Sequence, residues 1–425
     1  MSVRDRPTSA IVSWVYGRLP KVRAVPEGWR LSRLTDVAKL ESGHTPDRNV
    51  PAYWNGGVQW LSLHDTKHLD ESVLRSTVQQ ISQLGLRNSS ARLLPAGTVA
   101  LSRTATIGKC VILGQEMATS QDFACYICGS SLDRRYLLHL FRYMQPVWSI
   151  LAEGSTHKTV YMPAFERLQI LVPPLYEQRR IVEVLDSVDE SIRSTDLLAE
   201  KFSIASLTLR RHLLLGKGDA QNRNRATIGD VLARSEYGIS DPLEYGHGTP
   251  VLRMNNLKDG EVDASDLKVT AFSVPQRLLL SYGDVLFNRT NSIDHVGRTS
   301  IWRGPSGTTT FASYLVRLVR DERIILPDYL TLWLNLDEIQ TEMRRFATPG
   351  VHQVNINPTN LKKVRIEFPR SLEEQGAICQ QIAASILPAT SARIQVAKLK
   401  QLKQGLMEDL LTGQVRVNVE EDVVA

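Results

Sequence analysis

The stretch EQRRIVEVLDSVDESIRSTDLLAEKFSIASLTLRRHLLL, from Glu177 to Leu215, decides how the rest of the chain is read. Stepping through it by four and three residues in turn gives Ile181, Leu185, Val188, Ile192, Thr195, Ala199, Phe202, Ser206, Leu209 and Leu213. Only Thr195 and Ser206 interrupt the apolar row. Such an alternation, held over more than three heptads, predicts one seam of a coiled coil. The same step from Ile378 gives Ile378, Ile382, Ser385, Ala389, Ala392, Val396, Leu399, Lys403, Leu406 and Leu410. Here only Ser385 and Lys403 are polar. Two helices of matching phase, Glu177–Leu215 and Glu374–Leu411, are predicted to pair antiparallel along this seam. Pro388 lies inside the second and removes a backbone donor, which predicts a kink.

The blocks before each helix also repeat. Asp36-Val37 returns as Asp230-Val231, and Gly97-Thr-Val-Ala-Leu-Ser-Arg103-Thr104 returns as Gly283-Asp-Val-Leu-Phe-Asn-Arg289-Thr290. Tyr136-Leu137 matches Tyr329-Leu330, His157 and Pro163 match His352 and Pro358, and Glu177-Gln178 matches Glu374-Gln375. A duplicated unit packs most simply about a pseudo-two-fold axis. The expected fold is α+β: two α/β domains of short strands and helices, separated by two long antiparallel coiled-coil helices. The segments expected are an extension over 1–25, a first domain over 26–175, a helix over 176–216, a linker over 217–225, a second domain over 226–371, a helix over 372–413 and a tail over 414–425. Within the first domain, strands are expected at Val58–Leu63, Thr98–Ser102, Val111–Leu113 and Phe123–Cys128, and a helix at Arg135–Leu151.

Composition narrows the class. With 42% hydrophobic and 23% charged residues the chain is an ordinary globular one, which excludes disordered and collagen-like classes. No apolar run approaches the ~18–20 residues that a membrane span needs. Four cysteines without framework spacing fit a reducing cytoplasm. A net charge of +6 is compatible with a polyanionic partner without identifying one.

No catalytic constellation stands out. Gly216-Lys217-Gly218-Asp219 lacks the spaced glycine and hydroxyl of a phosphate loop, and there is no Asn-Pro-Pro-aromatic run of an amino-methyltransferase. Cys125-x-x-Cys128 has no second ligand pair, so both thiols are expected as small hydrophobes and no metal is expected. What recurs instead is polar turns at matching places. The first block offers His64, Asp65, Arg103, Thr104, Thr106, His157 and Lys158; the second offers Asn255, Asn256, Arg289, Thr290, Asn291, His352, Gln353 and Asn355. Asn, Gln and Arg suit base edges, while Ser, Thr and Lys suit phosphates. Taken singly, each is better read as an ordinary loop residue. The frame of Gly, Arg-Thr, His and Pro repeats while its neighbours change, as in two copies of one reader tuned to different sequences.

The Trp29 opening, the Gly-x-Val-…-Arg-Thr turn, Pro173-Pro174-Leu175-Tyr176-Glu177-Gln178-Arg179-Arg180-Ile181 and the Leu-Leu-x-Gly helix ends resemble the specificity subunit of type I restriction–modification systems. The second copy departs from the marker, reading Phe368-Pro369-Arg370-Ser371-Leu372-Glu373-Glu374-Gln375-Gly376. The resemblance runs from about Val25 to Gly413. It implies two target recognition domains, each reading half of a bipartite, asymmetric site in double-stranded DNA, with the helices setting the spacer. It implies docking of two methylation subunits that bind S-adenosylmethionine, and of two restriction subunits that use ATP and Mg²⁺. The chain itself would be non-catalytic, binding no cofactor, in the cytoplasm of a bacterium or archaeon and associated with the nucleoid. Two other readings stand beside this one, a DNA-modifying methyltransferase or nuclease and a coiled-coil scaffold without a nucleic-acid role.

Overall fold

The computed structural model describes residues 25–154, 158–216, 222–350 and 353–417. They form two compact units, one running up to Asp196 and resuming at Ile394, the other Leu197–Arg393. The division falls inside both long helices, so each unit is a globular domain with half of each helix. The expected extension over 1–25 lies, save for Val25, outside the described residues.

The two units repeat the same topology. In the first, a five-stranded sheet runs Ala38–Ser42, Phe123–Cys128, Val99–Ser102, Cys110–Leu113, Val73–Leu74. In the second, a six-stranded sheet runs Leu232–Tyr237, Leu315–Arg320, Val285–Asn288, Thr299–Ile301, Glu261–Val262, Leu257–Lys258. Each has a three-stranded companion, with Trp54–Leu61 between Gln80–Ile81 and Ala118–Thr119, and Thr249–Leu252 between Lys268–Thr270 and Thr310–Phe311. The register repeats as well, Val99 facing Ile112 and Val285 facing Ile301. The helix expected over Arg135–Leu151 is two, Arg134–Tyr143 and Gln145–Leu151, because Met144 leaves the helical region at ψ 9° and Pro146 opens the next helix.

Strand alternation explains Cys125 and Cys128. Three positions apart, they face opposite sides of the sheet and pack into different clusters. Burial pushes each thiol up to about 12, away from the thiolate that a metal ligand requires.

The expected linker is corrected in part. Residues 217–221 lie outside the described residues, but Arg223–Thr227 is a strand, antiparallel to Arg365–Pro369. It is the counterpart of Arg30–Arg33 against Gln169–Val172. Its polar sequence disguised it. Arg223 donates to the carbonyls of Leu213 and Leu214, capping the end of the first long helix, and also to Tyr329 Oη.

The long helices span Leu175–Leu215 and Leu372–Leu411. Their starts are built alike around a buried glutamine. Gln178 Oε1 accepts the Asp133 N–H at 2.8 Å, while its Nε2 donates to Ser131 and Pro173 carbonyls. Gln375 does the same with the Leu326 N–H and the Ile324 and Pro369 carbonyls. Tyr136 and Tyr329 send their hydroxyls to the carbonyls of Leu171 and Glu367. The second helix ends at Gly413, whose φ of +70° is a left-handed cap; a Cβ there would lie 2.5 Å from Pro26. Glu177, buried, accepts from Trp29 Nε1 and Arg416, tying that end to the domain's opening.

Within each unit the half-helices pair antiparallel. Lys403 reaches Asp189 in the first, and Ser385 and Arg393 reach Ser206 and Ser203 in the second. Ile181, Leu185, Ile378, Ile382, Val396 and Leu410 are buried as the seam predicts, while Val188, Ile192, Leu213, Leu399 and Leu406 are half-buried. Burying one such side chain is worth about 1.5–3 kcal/mol. Phe202 and Leu209 are corrected. They are 40% and 36% exposed, and Ser203 takes the inward place of Phe202 between Ala199 and Ser206. A row of strict 3.5 spacing drifts about 20° per heptad around a helix of 3.6 residues per turn. The second helix runs through Pro388 as one element. Ala384, whose carbonyl loses its donor, is exposed to water.

Candidate nucleic-acid interface

The recurring polar turns cluster where strands end. In the first unit Leu61 and Thr119 pair at the ends of parallel strands, and Ser102 faces Phe123 where the neighbouring strand begins. The Ser120 N–H goes to the Leu61 carbonyl, and the Arg103 N–H to the Asp122 carbonyl at 2.9 Å. Val160 N–H closes the group on the Arg103 carbonyl, also at 2.9 Å. The second unit repeats every step. Ala312 N–H goes to Leu252, Arg289 N–H to Tyr314 at 3.0 Å, and Ile356 N–H to Arg289 at 2.8 Å. Each Arg-Thr turn is thereby joined to the segment around residue 159 or 355. Thr104 bridges to Thr159, and Thr290-Asn291 pairs with Asn355-Val354.

Glycines make room for a further loop over the same strand ends. A Cβ on Gly43 would lie 1.9 Å from the Thr119 carbonyl oxygen, and one on Gly238 2.0 Å from that of Phe311. No other side chain permits that approach. His44 and Ile239 follow, each donating its N–H to the same carbonyl at 2.9 Å.

The predicted residues divide. Asp65 and Asn256, at matching places, are buried and hold their own turns. Asp65 accepts from the Ser62 and Val78 N–H groups; Asn256 accepts from the Arg253 N–H and donates to Asp263 and Asp266 carbonyls. They are corrected from contact residues to turn caps, because buried polar groups must be satisfied locally. Their neighbours His64 and Asn255 are exposed, as is Lys158. Thr104 Oγ1 donates to Asp122 Oδ1, and Thr106 Oγ1 lies 3.2 Å from Ser102 Oγ. Arg103 spends its guanidinium on the Gln121 carbonyl at 2.7 Å and the Val160 carbonyl at 3.3 Å. Arg289 does not. It lies over the Tyr237 ring, 4.9 Å from its centre. Gln353, Asn355, Thr290 and Asn291 are half-buried beside it in the chain's pairing, while His157 and His352 lie outside the described residues.

Residues 26–200 match the type I restriction modification DNA specificity domain. That match spans the first unit's globular domain and the opening part of the helix Leu175–Leu215. The MjaIX specificity subunit of Methanocaldococcus jannaschii is 25% identical over 172 residues, 40% of either chain. The EcoKI specificity subunit of Escherichia coli K12 is 24% identical over 431 residues, 92% of this chain and 90% of the relative. A chain from a solved structure of type I restriction–modification complex assembly superposes with a TM-score of 0.64 at 20% identity, covering 93% of this chain and all of that one. That likeness is one of fold.

The recurring motifs of the sequence do not point to Arg48, Trp54, Trp60, Gln121, Tyr237 and Tyr314. Arg48 lies 4.9 Å from the Trp54 ring and 5.7 Å from the Trp60 ring. Its loop is fastened over the strand ends by Thr45 Oγ1 to Gln121 Oε1 at 2.6 Å and by Trp60 Nε1 to the His44 carbonyl. The tight Gly43 and Gly238 turns were the available signal, since both follow a strand directly. Among the described residues, no helix is long and apolar enough to cross a membrane.

Proposed function

We propose that this chain is the DNA-sequence specificity subunit of a type I restriction–modification complex. Each unit carries one target recognition domain, which reads one half of a bipartite, asymmetric site. The observation that supports this best is the duplicated cluster of strand-end loops. Its backbone bonds are the same in both copies, while the exposed side chains differ. A shared frame with divergent readers suits two different half-sites.

The paired helices act as the ruler for the unread spacer, since a rigid element joining two readers sets half-site separation. They also dock two methylation subunits, which supply S-adenosylmethionine chemistry on adenine. Two restriction subunits using ATP and Mg²⁺ complete the assembly. Exposed Leu197, Ile204 and Leu207 on the first helix, with Ile386 and Leu387 on the second, offer apolar surface for that docking.

Genome-wide mapping of N6-methyladenine in the host, with and without this chain, tests the reading. A two-part motif that disappears with the chain is expected. Methylation without such a motif, or one that persists in the chain's absence, overturns it.

A further inference from the structure

We infer that one stacked arginine in each recognition domain, Arg48 in the first and Arg289 in the second, reads a guanine, and that Arg103 does not. The inference rests on the DNA-specificity reading. A guanidinium that reads a base edge needs its donors free and its plane held. The internal repeat supplies the comparison, because Arg103 and Arg289 occupy the same place with the same backbone bonds.

Their side chains are used differently. Arg103 donates Nε and Nη1 to two backbone carbonyls, which ties the Arg-Thr turn to its neighbours. Arg289 makes no hydrogen bond or ion pair from its guanidinium among the described residues, and its enclosed Nε is unpartnered. What holds it is the Tyr237 ring. Tyr237 is the last residue of its strand and faces Val316; Ser42 ends the corresponding strand of the first unit, facing Ala124. A serine cannot stack a guanidinium, so the first unit has no such place for Arg103.

The first unit holds a free guanidinium elsewhere. Arg48, exposed and likewise without a hydrogen bond or ion pair among the described residues, lies against Trp54 and Trp60. The two rings are themselves packed edge to face, 5.1 Å apart. Its loop sits on Gln121, the residue whose carbonyl consumes Arg103 Nε. Stacking on an aromatic ring fixes the plane of the fork and leaves its edge to donate. Bidentate donation to guanine O6 and N7 is the commonest specific arginine contact in the major groove.

The test compares methyladenine maps of cells expressing wild type, Arg289→Ala, Arg48→Ala and Arg103→Ala with the methylation subunits. Arg289→Ala is expected to relax the motif at a single G·C pair in one half, and Arg48→Ala at a single G·C pair in the other. Arg103→Ala is expected to leave the motif unchanged. Binding of the assembled complex to duplexes carrying each of the four pairs at the relaxed position should lose roughly five- to 150-fold discrimination in the variant. Tyr237→Leu keeps the arginine but removes its support, and should relax the same pair as Arg289→Ala. A uniform loss of affinity with an unchanged motif would mark phosphate contacts and overturn the inference. So would relaxation of both arginine variants in the same half, or at A·T pairs. A wild-type complex with no two-part motif would sink the specificity reading itself.

Discussion

Ser206 and Ser385, hydroxyls that interrupt the two apolar rows, meet each other across the helix pair at 2.8 Å. Ser385 Oγ donates to the Ile382 carbonyl, so Ser206 supplies the proton between them. In the other unit the remaining charged interruption, Lys403, is matched by Asp189 at 2.6 Å. Polar breaks paired this way specify register, because a slipped pairing would bury each without its partner.

Ser206→Ala should cost about 0.5–1.5 kcal/mol, the net worth of one hydrogen bond. A double-mutant cycle with Ser385→Ala, read by denaturant unfolding, should return a coupling of similar size, about 0.5–1.5 kcal/mol. Zero coupling would show that the hydroxyls do not specify the pairing.

Gln178→Leu should be far more damaging. It strands the Asp133 N–H and the Ser131 and Pro173 carbonyls. At about 1–3 kcal/mol for each unsatisfied group, the expected loss is about 3 kcal/mol or more. Gln375→Leu should behave alike, and calorimetry that finds either variant near wild type would refute the account of the helix starts.

Glu236 predicts an acid limb in stability. It accepts from Arg234 and Arg317, and Arg317 also reaches Asp284. Burial alone would raise the Glu236 carboxyl, but the bonds from Arg234 and Arg317 outweigh it and hold the group below its ordinary value of 4.5. Its contribution is therefore complete above that value and is lost as pH falls through the lower folded one. Thermal melts from about pH 7 to about pH 3 should show Glu236→Gln destabilised at neutral pH, with the gap to wild type closing in acid. A gap that stays constant across the series would rule the mechanism out.

The exposed apolar flank predicts a separation of stability from assembly. Leu197 and Ile204 are 52% and 64% exposed. Leu197→Glu with Ile204→Glu should leave the chain's own stability within about 0.5 kcal/mol for each substitution. It should nonetheless abolish co-purification with the methylation subunits. Retained co-purification would place the docking surface elsewhere.

Features that depend on spacing along one chain were legible without coordinates. The helices, their antiparallel pairing, the duplication and the recurring Arg-Thr turns all follow from periodicity, because side-chain direction along a helix or strand is set by local geometry. Where that geometry accumulates an error the reading slipped. Phe202 and Leu209 left the seam because a 3.5-residue row walks around a 3.6-residue helix. Arg223–Arg225 looked like a linker because a short, half-buried edge strand needs no apolar alternation.

The tertiary structure alone decided which polar residues are spent and which are free. Ser62-x-x-Asp65 is a local capping pattern that separates Asp65 from His64, but nothing local separates Arg103 from Arg289. Asp65 and Asn256 each take the N–H three residues back, and folding adds the Val78 N–H to Asp65 and the Asp263 and Asp266 carbonyls to Asn256. Arg103 is consumed because the Gln121 and Val160 carbonyls arrive beside it, and Arg289 is left stacked because Tyr237 does. A hydrogen bond depends on angstroms between residues far apart in sequence, and periodicity carries no such distance.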